Sequence, residues 1–437
     1  MPDRNIFAKR LKHLSEIKKS SDIFGECSAV SCGVFCPTFG IAVCAPLIQD
    51  AAVIVVGTPE CVWHAKNSCI HHSNDPAYDR FYCCAMDNHD IVFGDSGGIR
   101  SAISEVAGDA SVNCIILAST CIPEIIGDDM DSIARESEEE TGIPVLPVHI
   151  AHYDHKCNEF GVAISRTLEA FGRLMEPQDV QPMTVNLLGR NFHSSMDGSL
   201  QDSELVGLLE KYGVRINLML PDKCSAAEIS SAPLAAMNIV TNAVGKDLAE
   251  YMRQCFGTPY VLFEPSLNLD YISGGYAKIQ ECLGINMEKD LSGLKTGAES
   301  VINNSRAVLD GKTFINGGRP PDAFEAACFL SEHGMRPLLI NAYRVYESSA
   351  EAIEKILARG WNPYINYVAN PEAAFRLIPE LLPDLFVGHG NAELLKQMGI
   401  KHIEMLLPPG KLGYEAVIHT LEVIAGTLKG DAELEAL

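Results

Sequence analysis

The chain has 437 residues and a formal net charge of −23, with 47% hydrophobic and 21% charged residues. This length exceeds one ordinary hydrophobic core and predicts two or three domains. The acidic balance disfavours nucleic acid as a partner, because binding phosphates requires a basic surface. No apolar run is long enough to span a bilayer, and residues 1–21 lack the apolar core of a secretory signal. We therefore expect a cytoplasmic protein without a membrane or nucleic-acid partner.

Strand-like and helix-like segments alternate in the first third of the chain. Ala52–Gly57 and Cys114–Ser119 are continuous, β-branched apolar runs, which are typical of buried parallel strands. Ile143–Val148 predicts another strand after Gly142, and Asp128–Glu140 predicts a helix with an acidic first turn. Alternation of this kind indicates an α/β domain.

The same alternation continues through two further blocks. The second block predicts a helix at Ser203–Tyr212 and strands at Val185–Gly189, Val214–Leu220, Met237–Thr241 and Tyr260–Phe263. The third predicts strands at Thr313–Asn316, Arg336–Asn341, Pro363–Val368 and Asp384–Gly388, and helices at Asp322–His333, Ser349–Ala358, Pro371–Ile378 and Tyr414–Lys429. We expect an α/β fold of three consecutive doubly wound parallel-sheet (Rossmann-like) domains, spanning residues 1–180, 181–308 and 309–437.

Cysteine is unusually abundant, with fifteen in the chain and nine of them between Cys27 and Cys114. Cys61 and Cys121 each follow a predicted buried strand and precede a helix-like stretch. Open α/β sheets place ligand chemistry at the carboxyl ends of strands, where a helix N-terminus favours negative charge such as a thiolate. With Cys36, they are candidates to ligate an iron–sulfur cluster, whose iron is held by thiolates. The alternative is that all three are small buried apolar side chains, as cysteine often is.

Other cofactor motifs are weak or absent in the sequence. The chain has no G-x-x-x-x-G-K-[ST] motif, so any ATP chemistry would belong to another protein. Residues 94–98 contain glycines but lack the G-x-G-x-x-G spacing of a dinucleotide site. A zinc site formed by Cys61, His64, His71 and His72 is a further alternative, although the spacing is loose and there is no C-x2-C pair.

The segments around the three cysteines resemble the nitrogenase component 1 family, which comprises the α- and β-like subunits of the nitrogenase molybdenum–iron protein and nitrogenase-like reductases. The resembling segments follow the family's order through nearly the whole chain: Cys36–Ala42, Pro46–Ala51, Gly57–Cys61, Asp90–Gly94, Ser119–Cys121, Ile125–Asp129, Gly142–Val145, Leu309–Lys312, Gly317–Pro320, Pro383–Leu385 and Lys396–Ile400. The family fold is three α/β domains with parallel sheets, which agrees with the organisation described above.

The resemblance also implies a cofactor and partners. Cys36, Cys61 and Cys121 would ligate an iron–sulfur cluster, of the 4Fe-4S or 8Fe-7S type, at the interface between two homologous subunits. A homologous component 1 subunit would supply the remaining ligands, in an α2β2-like heterotetramer or a homodimer. A separate ATP-dependent iron protein would deliver electrons one at a time under anaerobic conditions, which suits a chain without a P-loop.

Two positions depart from the family's catalytic subunit. The cysteine that anchors the large cofactor of that subunit corresponds to about Asn242, and the anchoring histidine corresponds to about Leu406. Neither side chain is a thiolate or an imidazole, so dinitrogen reduction with the usual ligands is not expected. The candidates to hold a second iron–sulfur-based metallocofactor, or to touch a substrate, lie on predicted loops: Cys224, His193, His155 and Cys157. Each of them is alternatively a surface or core residue.

The leading hypothesis from the sequence is an oxidoreductase. The chain would be a subunit of a nitrogenase-like reductase that passes electrons from the iron protein, through the interface cluster, to a substrate or a second metallocofactor. Three alternatives stay open: a non-catalytic scaffold for assembly of a metallocluster of the iron–molybdenum cofactor type, a β-type supporting subunit, and a subunit that reduces tetrapyrroles or carbon–sulfur bonds.

Overall fold

The computed structural model describes residues 11–23, 36–69, 79–94, 96–150, 160–190, 200–317, 323–342, 345–346, 349–367, 371–388 and 390–430. Within these ranges the strands, numbered in chain order, are β1 Lys12–His13, β2 Ala51–Gly57, β3 Phe81–Ala85, β4 Cys114–Ser119, β5 Val145–Val148, β6 Gln181–Leu188, β7 Arg215–Leu220, β8 Ala235–Val240, β9 Tyr260–Leu262, β10 Thr313–Asn316, β11 Arg336–Ala342, β12 Tyr364–Tyr367, β13 Leu385–Val387 and β14 Lys401–Ile403.

Helices connect most of these strands. They are α1 Ser20–Ile23, α2 Thr38–Cys44, α3 Pro59–Cys69, α4 Asn88–Phe93, α5 Ser96–Ala107, α6 Cys121–Ile126, α7 Met130–Thr141, α8 Phe160–Phe171, α9 Glu204–Lys211, α10 Ala226–Ser230, α11 Lys246–Phe256, α12 Leu269–Leu283, α13 Glu288–Leu309, α14 Ala323–Glu332, α15 Ser349–Ala358, α16 Pro371–Leu381, α17 Ala392–Gln397 and α18 Tyr414–Lys429. In the part of the chain that the structure describes, no helix has both the length and the apolar character needed to cross a membrane.

The first sheet has the strand order β3-β2-β4-β5, and all its pairings are parallel. Every residue of β2 and β4 is buried. This burial confirms the prediction made from their continuous apolar sequences, because a parallel strand covered by helices on both faces has no solvated side. The edge strand β3, in contrast, alternates between buried and more exposed residues and was not predicted.

The second sheet is also entirely parallel, with the order β7-β6-β8-β9. Its strands agree with the predicted positions to within a few residues, as expected where strand boundaries are set by hydrogen bonding rather than by hydropathy. Three asparagines form hydrogen bonds across this sheet: buried Asn186 donates to the side chain of buried Asn238 over 2.8 Å, and half-buried Asn217 donates to Asn186 over 3.0 Å. Each amide thus satisfies its neighbour inside the core.

The third sheet has the order β1-β12-β11-β10-β13-β14. All its pairings are parallel except that of β1, which pairs antiparallel with β12 at Lys12↔Ile365. Strand β1 therefore joins a sheet whose other strands, β10 to β14, come much later in the chain. The predictions missed β1 and β14 because the sequences of these short strands, Lys12–His13 and Lys401–Ile403, contain no apolar run.

The three sheets share their hydrophobic cores. One core joins residues of the second and third sheets with the long helices α12, α13 and α18, and another joins the first and second sheets. Two smaller cores cover the other faces of the first and third sheets. This arrangement confirms the predicted α/β class with doubly wound parallel sheets. The boundaries at residues 180 and 308 stay predictions.

Helices α9 and α18 meet end to end through a reciprocal pair of caps. The Glu204 carboxylate accepts from the backbone N–H groups of Tyr414 and Glu415, both over 2.9 Å, and the Glu415 carboxylate accepts from the N–H of Glu204 over 2.7 Å. Each acidic side chain satisfies N-terminal donors of the other helix, which have no partner within their own helix. This contact connects the middle of the chain to its last helix.

Candidate functional site

Cys61 and Cys121 lie at the carboxyl ends of two neighbouring parallel strands. β2 ends at Gly57, and Cys61 is in the first turn of α3. β4 ends at Ser119, and Cys121 is the first residue of α6 after the N-cap Thr120. Because β2 and β4 pair in parallel, the two strand–turn–helix units point in the same direction. The structure therefore has both cysteines in the local context that the sequence predicted.

Cys36 reaches the same region from a separate segment. It precedes α2, and its carbonyl accepts from the N–H of Phe39 over 2.9 Å in the turn that starts this helix. Its thiol donates to the hydroxyl of Thr38 over 3.5 Å. α2 packs against α3, the helix that carries Cys61. Three different elements thus each contribute one cysteine.

The Cys121 thiol is affected by its burial and by the two other cysteines. The pKa of the Cys121 thiol is raised first by burial, and then by the neighbouring thiolate charges of Cys61 and Cys36. A thiol whose ionisation is opposed by two others lies in the same neighbourhood as both. All three are free cysteines; Cys36 is exposed and the other two are partly exposed. A positive group placed near Cys121 would favour its thiolate form.

The residue type of these three side chains is the one that holds iron–sulfur clusters, because such clusters are bound by cysteine thiolates. The described residues contain no group of three or more His, Cys, Asp or Glu side chains placed to hold a metal ion. His64 is described, whereas His71 and His72 of the zinc alternative lie outside the described residues. The role of the three cysteines as ligands stays a prediction.

Exposed apolar side chains lie on the helices that carry two of the cysteines and on a neighbouring helix, and the sequence analysis did not identify them. We call this surface the apolar face, defined by Trp63, Val92, Phe93, Ile125 and Ile126, whose exposed fractions are 60%, 71%, 74%, 63% and 39%. Trp63 shares α3 with Cys61, the two isoleucines share α6 with Cys121, and α4 packs against α6. Short helices such as α4 and α6 bury few side chains. This was the signal in the sequence from which exposed apolar residues could have been predicted here.

Cys224 lies away from the other three cysteines. It is buried, and it forms a parallel bridge with Ile48, with Gln49 donating to its carbonyl over 2.7 Å. Ile48 precedes β2, so this contact is at the amino end of the first sheet, opposite Cys61. Burial raises the pKa of the Cys224 thiol to about 12. Cys224 is among the residues that line a cavity of about 620 Å³ along β7, and its predicted role toward a second cofactor or a substrate stays a prediction.

The remaining candidates and the substituted anchor positions can be placed only in part. His155, Cys157 and His193 lie outside the described residues. Asn242 follows β8, and its side-chain oxygen accepts from the N–H of Val244 over 3.0 Å. Leu406 is buried in the core shared by the second and third sheets. Neither position supplies a thiolate or imidazole.

The fold and sequence together identify the family. The family model described as nitrogenase component 1 type oxidoreductase matches residues 36–429, and the chain belongs to this family. A solved structure, nitrogenase Cp1 at pH 6.5, superposes with a TM-score of 0.75 at 14% identity, covering 93% of this chain and 95% of that chain. At this identity the likeness supports the three-domain fold alone.

Relatives with curated functions include assembly proteins and reductase subunits. The chain is 27% identical over 386 residues to the nitrogenase iron-molybdenum cofactor biosynthesis protein NifE of Clostridium pasteurianum, covering 84% of this chain and 80% of that protein. It is 32% identical over 160 residues to a nitrogenase molybdenum-iron protein alpha chain of Methanosarcina barkeri, covering 36% and 29%. It is 24% identical over 331 residues to one of the subunits of the light-independent protochlorophyllide reductase of Leptolyngbya boryana, covering 71% and 59%. These relatives favour the assembly alternative over the predicted reductase.

Proposed function

We propose that this chain is a NifE-like assembly subunit, a scaffold on which a metallocluster is built before transfer to another protein. The observation that carries the proposal is the match to a cofactor biosynthesis protein along 84% of the chain. Asn242 and Leu406 argue against a catalytic subunit with the usual cofactor ligands, because they leave the positions of that subunit's anchors without a thiolate or imidazole.

Cys36, Cys61 and Cys121 would hold a resident iron–sulfur cluster, of the 4Fe-4S or 8Fe-7S type. Such a group takes up and releases electrons. The chain's own residues place the thiolates: the carboxyl ends of β2 and β4 hold two of them at helix starts, where backbone N–H groups favour negative charge. The burial that raises the pKa of the Cys121 thiol is offset when a positively charged iron replaces its proton.

A homologous component 1 subunit is the proposed partner at this site. The apolar face exposes five large side chains beside the cysteines, and exposed apolar patches typically mark protein interaction sites. A partner that covers this face would also bring ligands to complete the coordination of the cluster. The assembly would be an α2β2-like heterotetramer or a homodimer, and an ATP-dependent iron protein would deliver electrons.

A nitrogenase-like reductase is the second candidate. It is favoured by the similarity to an alpha chain of the molybdenum-iron protein and to part of a protochlorophyllide reductase. In that case the chain would be a supporting subunit, or would hold its second cofactor through residues other than Asn242 and Leu406. Reduction of a tetrapyrrole, a carbon–sulfur bond or dinitrogen would then occur within the complex itself.

The cluster is tested by counting iron and acid-labile sulfide in protein purified without oxygen together with its partner subunit. We expect Cys61→Ala and Cys121→Ala to lose most of the iron. Cys282→Ala removes an exposed cysteine on α12 and is the matched control, expected to keep its iron. Unchanged iron in both the Cys61 and Cys121 variants would rule out the cluster.

A second experiment distinguishes the scaffold from the reductase. The loaded complex is mixed with cofactor-free nitrogenase component 1, and the recovery of that protein's activity is measured. In parallel, the complex is supplied with an iron protein, ATP, and tetrapyrrole, reduced-sulfur or dinitrogen substrates. Transfer without turnover supports the scaffold, whereas turnover without transfer contradicts it and supports the reductase.

A further inference from the structure

Acidic residues accompany the apolar side chains on every segment that forms the apolar face, 59–69, 87–94 and 121–131. The basic residues of these segments are Lys66 and two histidines, whereas the acidic ones are Glu60, Asp87, Asp90, Glu124, Asp128, Asp129 and Asp131. Lys66 does not offset this charge at the surface, because its ammonium group donates to the carbonyl of Phe81 in β3 over 2.7 Å. We call the exposed carboxylates the acidic rim; they are Glu60, Asp87, Asp129 and Asp131.

The acidic rim lies close to the exposed apolar side chains. Glu60 precedes Trp63 by three residues in α3, a spacing that puts both on one side of the helix. Asp87 caps α4, whose six residues end with Phe93, so the two are about 9 Å apart along its axis. Asp129 caps α7 and follows Ile126 by three residues. The surface therefore combines an apolar centre with negative charges at its border.

Two of these charges are fixed by the backbone. The N–H groups of Asp90 and His89 lower the pKa of the Asp87 carboxyl, and the N–H of Ser132 lowers the pKa of the Asp129 carboxyl. In both cases the hydrogen bonds favour the charged form of the acid. Both carboxylates are therefore ionised at neutral pH, and the acidic rim stays negative there.

This charge pattern does not suit a second copy of the chain. In a dimer with two-fold symmetry the same surface patch meets itself, so one acidic rim would face the other. Like charges placed opposite each other oppose association, and the net charge of −23 on each copy adds repulsion at longer range. A chain with lysine and arginine around its own apolar patch would gain both apolar burial and charge complementarity.

We propose that the apolar face binds a non-identical chain whose apolar patch is bordered by lysine and arginine side chains. This inference rests on the partner subunit of the proposed function and names its surface chemistry. It selects the heteromeric assembly over the homodimer. The apolar centre supplies the burial that holds the complex, and the acidic rim selects the partner and steers it during encounter.

Cross-linking tests which chain lies against the acidic rim. The complex, purified without oxygen together with its partner subunit, is treated with a water-soluble carbodiimide, which joins contacting carboxylates and lysines through an amide bond. We expect mass spectrometry to find links from Glu60 or Asp131 to lysines of a different chain, with the links from residue 60 lost in Glu60→Gln. Links from these residues to a second copy of this chain, or no link from either to another chain, would overturn the inference.

Charge reversal tests the contribution of the acidic rim to binding. Glu60→Lys should weaken the complex about three- to tenfold at about 0.15 M salt, and by less at higher salt, as measured by analytical ultracentrifugation. Glu288→Lys is the matched control, because Glu288 is also exposed in the first turn of a helix, α13, and loses the same interaction with the helix N-terminus. Equal weakening in both variants would contradict the role of the rim.

A last pair of variants tests the apolar centre. Phe93→Ser should dissociate the complex while leaving the circular dichroism spectrum unchanged, because this side chain is 74% exposed. Val180→Ser, at a 58% exposed position before β6, is the control and should leave the complex intact. A complex that survives Phe93→Ser would overturn the inference. A heteromeric complex without iron would refute the proposed cluster alone, whereas an iron-loaded homodimer joined through this face would refute the inference alone.

Discussion

Replacing Gly57 with alanine tests how tightly the two cysteine-bearing units are packed together. The φ angle of Gly57 is not in the left-handed region, so the backbone tolerates alanine and only the added methyl group matters. That methyl would overlap three side-chain atoms of Thr120. Overpacking of this kind costs about 1–3 kcal/mol, because neighbouring atoms must move in a dense core. We expect Gly57→Ala to be destabilised by this amount.

The control is the same substitution at a position with free space. Gly207 lies inside α9, and nothing lies within 4 Å of the position that its methyl would occupy. Gly207→Ala should stabilise the protein by about 0.4–1 kcal/mol, because alanine restricts the unfolded chain. Opposite signs for the two variants are therefore expected. Urea unfolding measured by circular dichroism gives the free energies, provided that the slopes of the two transitions agree.

Hydrogen exchange measures the same effect locally. The N–H of Thr120 donates to the carbonyl of Val56, so faster exchange at this amide would locate the disturbance at the junction of β2 and β4. In loaded protein, Gly57→Ala should also reduce the iron bound per chain. Wild-type stability and wild-type exchange in Gly57→Ala would refute the packing argument for Thr120.

Two further predictions concern stability. Glu204→Ala should lower the free energy of unfolding by at least about 2–3 kcal/mol, because the hydroxyl of Tyr276 and the N–H of Tyr414 both lose their carboxylate acceptor. Urea unfolding measures this loss. Glu210→Ala, at an exposed position, is the control. His333 is buried, with its Nδ1 atom 2.7 Å from the Phe329 carbonyl, and burial lowers its pKa below the ordinary value near 6.5. The unfolded chain therefore binds a proton first, so stability should fall as the pH drops below about 6.5. His333→Gln should flatten that part of the pH profile, and an unchanged profile would contradict the assignment.

Long, strongly patterned segments were the predictable part of the fold. β2, β4 and β10 lie where the apolar runs predicted, and α15 and α18 have the predicted bounds. Their patterns persist for enough residues to define a period, and that period reflects burial directly. The short strands β1, β3 and β14 were missed, since β1 and β14 pair only as additions to a sheet that the rest of the chain had formed.

The sequence predicted the cysteines of the candidate site, but it did not predict the exposed apolar surface near them. The strand–turn–cysteine pattern identified Cys61 and Cys121, Cys36 was proposed with them as a cluster ligand, and the family resemblance implied the same three residues. The apolar face around Phe93 was not identified from the sequence. Phenylalanine occurs in many environments, and its exposure depends on neighbours that are distant in the chain.

The sequence by itself determined the α/β class, the parallel buried strands and the three thiols at helix starts, because these features follow from local periodicity and residue chemistry. Only the tertiary structure decided which cysteines share a neighbourhood. It separated Cys224, at the amino end of the first sheet, from Cys36, Cys61 and Cys121 at the carboxyl end. The physical reason is strand direction: parallel pairing of β2 with β4 brings their carboxyl ends together, and no local pattern specifies which strands become neighbours.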